Sequence, residues 1–235
     1  MRAVLTFHSV DDRPGPLSYS AAAFDALLEA LARADLPVLS LDELMSNERA
    51  HGVALTFDDG MSSVFAAALP ILAKHQATAH VFVISRRVGG EISWPGTASF
   101  KLMDWDQLAA LHAAGIRIEG HTASHPDLRS LSETEIEAEM EEADSLIEAR
   151  LGRRPNYFAY PFGHYDDRAR AVARKRYAGS FTTKLNYLNG GATVDALPRL
   201  DAHYLRSPAL VRALPSIPAQ AYMRLRRALR VLRGH

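Results

Sequence analysis

Two adjacent aspartates stand at the end of an apolar segment. Residues 53–57 read as a buried strand, which stops at Asp58, Asp59 and Gly60. Neighbouring carboxylates repel each other, so the end of a buried strand is a costly place for them unless a cation or a proton relieves the repulsion. A metal ion would do this. The alternative is a polar turn in which one aspartate caps the following helix.

Two histidines follow a second apolar run, residues 116–118. His121 and His125 are four residues apart, a separation that places both imidazoles on one side of a helical turn. Pro126 disfavours helix at His125, which predicts a short turn. Two such histidines by themselves would be typical of surface or core positions. Together with two aspartates at another strand end, they predict a metal site of one aspartate and two histidines. Such a site leaves positions open for water and substrate, and the spare aspartate can act as a base.

Three segments of the chain together resemble the polysaccharide deacetylase family, the metal-dependent carbohydrate esterases related to chitooligosaccharide deacetylases. They are residues 56–60, 121–125 and 158–163, in the order and approximate spacing of the family. The resemblance runs from the first strand to Thr183. It implies hydrolysis of the N-acetyl group of an amino sugar to acetate and a free amine. It is nearest to the subgroup that deacetylates poly-N-acetylglucosamine, which implies a place in exopolysaccharide biosynthesis.

The resemblance also implies roles for individual residues. Asp58 would be the general base, while Asp59, His121 and His125 would bind a divalent metal. Zn²⁺ is the first expectation, and Co²⁺ and Ni²⁺ are also compatible with these ligand types. The metal would polarise the amide carbonyl and lower the pKa of the attacking water, which Asp58 deprotonates. The backbone N–H of Phe162 would help to stabilise the oxyanion.

The third segment is expected to line the substrate groove, although its residues also fit a strand end followed by a turn. Many family members have an arginine within this segment, immediately before its Pro-Pro-Tyr-Gly part, that orients the catalytic aspartate, and Ala159 stands there in this chain. Arg199, from another strand, is a candidate substitute; alternatively the base is held differently. The predicted substrate-contacting residues are Tyr160, Pro161, Phe162, Gly163 and Arg199.

A histidine is suited to protonate the departing nitrogen because its pKa lies near neutrality. His8 follows a Thr-Phe pair as Asp58 does, so both would emerge at the same face of a parallel barrel. The poly-N-acetylglucosamine deacetylases that this chain resembles take their general acid from an N-terminal strand that ends in an aromatic-His pair, which favours His8. The other candidate is His203, which resembles a C-terminal Leu-x-His element of other members but also fits a structural histidine.

Short β-like runs alternate with helical runs, and the candidate residues fall just past predicted strands. This predicts an α/β fold with its active site at the C-terminal face of a (β/α) barrel, and the resemblance implies a distorted barrel of about seven strands. The predicted helices are 24–31, 64–75, 104–111, 132–151 and 167–176, and the predicted strands after residue 8 include 38–41, 80–84, 116–119, 156–160 and 180–183. A solvated outer face is expected for Glu137, Glu139, Glu141 and Glu142.

The composition is that of a globular enzyme. The chain has 235 residues, of which 48% are hydrophobic, enough for one large core, and a formal net charge of zero, which gives no global reason to expect nucleic acid as a partner. The absence of cysteine excludes disulfides and thiolate ligands. No apolar segment is long enough to span a membrane and no signal peptide is evident, so we expect a cytoplasmic protein. Nothing indicates the oligomeric state.

The C-terminal segment differs from the rest of the chain. We place the barrel domain at residues 1–218 and a basic amphipathic helix at residues 219–235. Such a helix can rest on anionic lipid, which would make the enzyme peripheral at the inner face of the membrane. The alternative is a terminal helix packed on the barrel through Leu225, Leu229 and Leu232.

The expected partner is a carbohydrate, with three alternatives to N-acetyl hydrolysis. Two keep the chemistry and change the acyl group or its carrier: deformylation of a lipid-linked amino sugar, and deacylation of a small amide. The third is a catalytically silent carbohydrate-binding module. Asp58 argues against this third reading, because a pure binder has no need of a base beside a complete ligand set.

Overall fold

The computed structural model describes residues 1–94, 99–188 and 192–232. Within these ranges, seven of nine strands form a closed parallel barrel and the other two pair as a small antiparallel hairpin. The predicted α/β barrel is therefore confirmed. The strands are β1 (Arg2–Phe7), β2 (Gly52–Phe57), β3 (His80–Val83), β4 (Glu91–Ile92), β5 (Phe100–Lys101), β6 (Arg117–Gly120), β7 (Tyr157–Ala159), β8 (Gly179–Leu185) and β9 (Leu197–Asp201).

The barrel order is β1-β2-β3-β6-β7-β8-β9, and β9 pairs with β1 to close it. The closure is uneven. Strands β1 and β2 pair over their whole length, whereas β6 and β7 share one residue pair, Gly120 with Phe158. The pairing of β8 with β9 shifts register between Phe181 and Leu185. This is the distortion that the sequence resemblance implied.

Alternation along β1 and β2 determines which side chains reach the mouth of the barrel. The odd-numbered residues of both strands pack outward in the large cluster that includes Phe24 and other residues of the surrounding helices. Val4 and Ala54 instead pack with residues of β3, β7, β8 and β9 inside the barrel. Because side chains alternate with a period of two, His8 and Asp58, four residues further on, share this inner register.

Helices surround the barrel. The five predicted helices are present, with a π-helical turn over Val64–Ala68 that leads into α3. The predicted helix 132–151 is capped at both ends, because Ser132 forms a capping box with Glu135 and Gly152 ends α5 at φ 73°. The helices are α1 (Ala21–Arg33), α2 (Leu41–Ser46), α3 (Leu69–Lys74), α4 (Trp105–Ala113), α5 (Glu133–Leu151), α6 (Asp167–Arg176), α7 (Pro208–Arg212) and α8 (Ile217–Leu232).

Two elements differ from the sequence prediction. The strand predicted at residues 38–41 is wrong, because Val38 makes only an isolated bridge and Ser40 opens α2 through a capping box. The bounds of the closing strand β9 were not predicted, although Arg199 was expected on a strand. This strand contains Pro198, a residue that argues against a strand inside a sheet.

The C-terminal helix packs on the barrel through residues other than those predicted. Ala219 and Met223 of α8 are buried, whereas Leu225 is 58% and Leu232 is 81% exposed and Leu229 is only partly buried. Packing through the three leucines is therefore wrong. No helix in the described part of the chain is both long and apolar enough to cross a bilayer.

Candidate active site

The ends of β1 and β2 bring His8 and Asp58 to the same mouth of the barrel. The strands are parallel and in register, with Phe7 opposite Phe57, and the Asp58 N–H donates to the Phe7 carbonyl over 2.9 Å. His8 is close enough to contribute to lowering the pKa of both Asp58 and Asp59. The sequence prediction that His8 and Asp58 emerge together is therefore confirmed.

Backbone strain is concentrated at the candidate site. Six non-glycine residues of the described chain have positive φ, and four of them lie here: Asp59 at 69°, Thr122 at 64°, His125 at 67° and Phe162 at 59°. Such residues cost free energy and persist where surrounding structure holds them in place. Because Thr122 and His125 are left-handed, the two histidines belong to a loop. The helical turn predicted for them is wrong.

Asp59, His121 and His125 form a buried cluster whose possible ligand atoms all lie within 4.8 Å of one another. Asp59 Oδ1 is 3.3 Å from His121 Nε2 and 3.6 Å from His125 Nε2. The Nδ1 atom of His121 is 2.7 Å from the Ala159 carbonyl, to which it can donate, leaving Nε2 with its lone pair. One carboxylate and two imidazoles converging in this way fit a divalent metal.

Electrostatics keep Asp59 ionised and His125 neutral, the forms in which each can bind a metal. Burial and the neighbouring His121 lower the pKa of His125 to about 3, so His125 is neutral, as a ligand must be. Burial opposes protonation of His121 as well, but the carboxylates of Asp59 and Asp58 raise its pKa. Burial would raise the pKa of Asp59, and the histidines outweigh it and lower that pKa. The cluster therefore has a negative charge facing imidazoles.

Asp58 is held by an arginine rather than by the histidines. The guanidinium of Arg199 makes two hydrogen bonds to it, Nη1 to Oδ1 over 2.7 Å and Nη2 to Oδ2 over 2.6 Å. Burial would raise the pKa of Asp58, but Arg199 outweighs it and lowers that pKa to about 2. Asp58 is thus an oriented carboxylate beside the cluster. The place of the arginine missing at Ala159 is therefore taken by Arg199, which reaches Asp58 from another strand.

A glutamate of α5 supports the histidine loop. The Glu139 carboxylate accepts hydrogen bonds from the backbone N–H and the hydroxyl of Ser124, both over 2.8 Å, and the Ala123 N–H donates to the Glu139 carbonyl. Sequence reasoning placed Glu139 on a solvated face and missed this contact. Glu139 has the same helical spacing as the exposed Glu135 and the partly buried Glu142, so no local pattern could have revealed this contact.

Aromatic rings border the metal-ligand cluster on its open side. The His125 ring lies 4.6 Å from the ring of Phe162 and 4.8 Å from that of Trp94, measured between centroids. Trp94 follows β4, just before residues 95–98, which lie outside the described chain. Phe162 is 45% exposed, so its side chain is available to a ligand. The rings make a wall suited to the apolar face of a sugar.

The other residues predicted to contact substrate are placed differently. Tyr160 and Arg199 are each 1% exposed and their polar groups are engaged within the protein, so neither lines the groove. Pro161 is buried in the turn. Gly163, at φ 71°, lies against Thr183 so closely that a Cβ atom would be 2.2 Å from the Thr183 hydroxyl. Only glycine fits there.

The structure separates the two candidate acids. His203 is exposed, its N–H donates to Asp201, and its ring contacts Tyr204. His8 is by contrast partly buried and helps to lower the pKa of both Asp58 and Asp59. Because β9 pairs with β1, His203 follows its strand at the same mouth, and the interactions of His8 with the aspartates favour His8 as the acid.

Comparison with known proteins is consistent with this site. The family profile for polysaccharide deacetylases matches residues 46–177, more than half of the chain. Chitin deacetylase 1 of Cryptococcus neoformans is 34% identical over 119 residues, which are 51% of this chain and 23% of that protein. The chain spans less than half the length of the first curated relatives that it matches.

Two solved structures share the barrel. Streptococcus pyogenes deacetylase PplD, determined with acetate, superposes with a TM-score of 0.75 and 25% identity over 84% of this chain and 90% of that one. IcaB from Ammonifex degensii superposes with a TM-score of 0.76 over 90% and 97% of the two chains; at 23% identity it shows the fold alone. With the matching profile and the buried Asp-His-His cluster, these comparisons show that the chain belongs to the polysaccharide deacetylase family.

Proposed function

We propose that this protein is a metal-dependent hydrolase that removes the acetyl group from an N-acetyl amino sugar in a polysaccharide or its biosynthetic intermediate. The observation that carries the proposal is that the metal ligands and the proposed base are different residues at the same mouth of the barrel. Asp59 and the two histidines form a complete ligand set, and Asp58 remains beside them as an ionised carboxylate oriented by Arg199. A binding module would need no such base.

The residues would divide the reaction as follows. Zn²⁺, the ion that we propose for Asp59, His121 and His125, would supply Lewis-acid polarisation of the amide carbonyl when bound. Asp58 would take the proton of the attacking water, because its carboxylate is ionised at neutral pH and cannot rotate away from Arg199. The strained turn at Phe162 would present its backbone N–H to the developing oxyanion.

His8 would return a proton to the departing nitrogen. It lies past the end of β1, next to Asp58 in register, and is only partly buried, so it can reach a group bound in the mouth. An amide nitrogen is a poor leaving group until it is protonated, so a histidine at this place supplies the step that the carboxylates cannot.

A panel of acyl groups tests the proposal. Zinc-loaded protein is incubated with N-acetylglucosamine oligomers, with their N-formyl counterparts and with a small N-acetyl amide, and the released acid is identified. Release of acetate from the oligomers in preference to the other two supports the proposal. Faster formate release would favour the deformylase alternative, and binding of oligomers without any acid release would favour the silent module.

Membrane contact stays a proposal that rests on α8. Its exposed face carries Ile217, Leu225 and Leu232, which are 82%, 58% and 81% exposed, and they fall on one stripe at helical spacing. We propose that this stripe rests on an anionic lipid surface with Arg224 at its border. The expected result is co-sedimentation with phosphatidylglycerol vesicles that is lost in the double variant Leu225→Ser, Leu232→Ser; unchanged sedimentation would contradict it.

A further inference from the structure

A cavity of about 500 Å³ lies next to the candidate active site. It is formed by three elements: the turn after β7, at residues 162–165; the C-terminal half of β8, at residues 182–185; and α8, through Arg227 and Arg230. Phe162 belongs to both sites, because its ring contacts His125 and also lines the cavity. A saccharide lying across Phe162 would therefore extend from the Asp-His-His cluster into this cavity.

The cavity lining is strongly cationic. It includes Lys184, Arg227 and Arg230 together with the hydroxyls of Thr183 and Tyr165, and no lining residue is acidic. Some of the charge is balanced nearby. Arg230 Nη1 lies 3.7 Å from Asp201, and His164, which also lines the cavity, bonds to Asp127 and Arg129. Within the described chain, neither Lys184 nor Arg227 forms an ion pair. These two cations are therefore free to meet an anion.

The orientation of α8 directs this positive charge toward the cavity rather than toward solvent. A surface helix normally turns its apolar stripe toward the core and its charges toward solvent. In α8 the side facing the barrel carries Arg226, Arg227 and Arg230 around Met223, while Leu225 points to solvent. Buried Ala219 and Met223 hold this face against the barrel, while Leu225 and Leu232 are left exposed. The helix thus places arginines over the cavity.

We propose that the cavity is a subsite for an anionic group carried by the saccharide substrate. The shared chemistry is a phosphate or carboxylate held by Arg227 and Lys184, since guanidinium and ammonium groups bind both. The group could come from a sugar phosphate, as in a phosphate-linked intermediate, or from a uronic acid within a polymer. This inference deepens the proposed function and rests on it, because it places the acyl sugar at Asp58 and the anion beyond Phe162.

The first experiment compares three substrates: a neutral N-acetylglucosamine trisaccharide, the same trisaccharide with a 1-phosphate, and a glucuronate-containing tetrasaccharide. We expect kcat/KM to be higher for one anionic substrate by about tenfold or more, the effect typical of one charged hydrogen bond. Arg227→Ala should abolish this preference and leave the neutral trisaccharide unaffected. Arg224→Ala removes the same charge from the exposed side of the same helix and should keep the preference.

The result also identifies the source of the anion, because preference for the phosphate or for the glucuronate assigns one of them. Equal kcat/KM for all three substrates in the wild type, or a preference that survives both Arg227→Ala and Lys184→Gln, would overturn the subsite. Lys184 is exposed on β8, so its variant tests the subsite even where the α8 variant fails to fold.

A binding measurement keeps the subsite separate from the reaction. Inorganic pyrophosphate is titrated into the zinc-loaded wild type, Arg227→Ala and Arg224→Ala by calorimetry; any contact with zinc is the same in all three. Tenfold weaker binding in Arg227→Ala alone would support the subsite even if no substrate were hydrolysed, in which case only the proposed function fails. Equal binding in the three proteins would overturn the subsite whatever the turnover.

Discussion

Arg199 and Asp58 are 141 residues apart in the chain and form a two-point ion pair inside the barrel. They lie at β9 and after β2, strands that are both neighbours of β1 rather than of each other. The guanidinium passes 5.7 Å from the ring of Phe82 and 5.9 Å from that of Phe181 and also bonds to Thr56. The orientation of the proposed base is therefore set by the closure of the barrel.

Replacement of Arg199 should change both stability and pH dependence. The pKa of Asp58 is about 2 instead of 3.8, so the pair stabilises the fold at pH values above about 4 and loses this contribution as the pH falls through about 2. In Arg199→Met the carboxyl of Asp58 stays buried but loses the neighbouring cation, so the pKa of Asp58 rises. We expect a loss of about 3 kcal/mol at neutral pH, and an acid limb of kcat/KM that moves to higher pH.

Urea unfolding and the pH profile of kcat/KM measure these two effects. Arg199→Lys keeps the charge but not the two-point contact, so both changes should be smaller than in Arg199→Met. An acid limb that stays in place in Arg199→Met would show that this arginine does not control the ionisation of Asp58.

Replacement of His8 should slow amide hydrolysis. We expect His8→Ala to lower kcat by about 10²-fold or more, the usual contribution of a general acid. His203→Ala, a change of the same kind at an exposed position, should have almost no effect. An activated aryl acetate, whose leaving group needs no proton, should be hydrolysed almost normally by His8→Ala. Equal losses on amide and ester, or a larger loss in His203→Ala, would contradict this role for His8.

Removal of the Glu139 carboxylate should weaken metal binding. Glu139 fixes Ser124, which lies between the two histidine ligands, so Glu139→Ala should loosen the loop. The expected loss of zinc affinity is about 10-fold to 100-fold, as for other groups that orient metal ligands. Glu137→Ala is the matched control, because Glu137 is exposed on the same helix. Competition with a chelating indicator measures both affinities, and equal values would refute a supporting role for Glu139.

Gly163 should tolerate no side chain, although Gly152 has nearly the same backbone. Their φ values are 71° and 73°, but a Cβ atom at Gly163 would lie 2.2 Å from the Thr183 hydroxyl and 2.6 Å from its backbone nitrogen, while Gly152 faces open space. Gly152→Ala should cost about 1 kcal/mol of stability. Gly163→Ala should cost clearly more and also lower kcat/KM, because the adjacent turn at Phe162 must shift. Denaturation and kinetics would show whether the two variants differ; similar results would contradict the clash.

The sequence was sufficient to predict the site residues that directly follow apolar strands. Asp58, Asp59 and His121 follow such runs, and parallel strands bring their ends to one mouth, so a barrel with a metal site could be predicted. Contacts set by closure of the barrel or by helix orientation could not. Arg199 reaches Asp58 across the barrel from a strand that contains proline. The support from Glu139 depends on how α5 is rotated.

The same limitation applied to the conformation of the site. A spacing of four residues is compatible with a helical turn, but His125 reaches Asp59 through left-handed backbone at Thr122 and at its own position. Likewise, the arginine and leucine pattern of α8 predicted an amphipathic helix but not which face meets the barrel. Packing decides that orientation, and Met223 rather than the leucines supplies the contact.

The central claim is that Asp58 is a base distinct from the metal ligands, and Asp58→Asn tests it most directly. Acetate release from N-acetylglucosamine oligomers is measured after metal removal and again after zinc is restored, for the wild type and the variant, with bound zinc counted in each. We predict zinc-dependent release by the wild type, and a variant that binds one equivalent of zinc but has lost release by about 10²-fold or more. Undiminished release by a zinc-loaded variant would contradict the account.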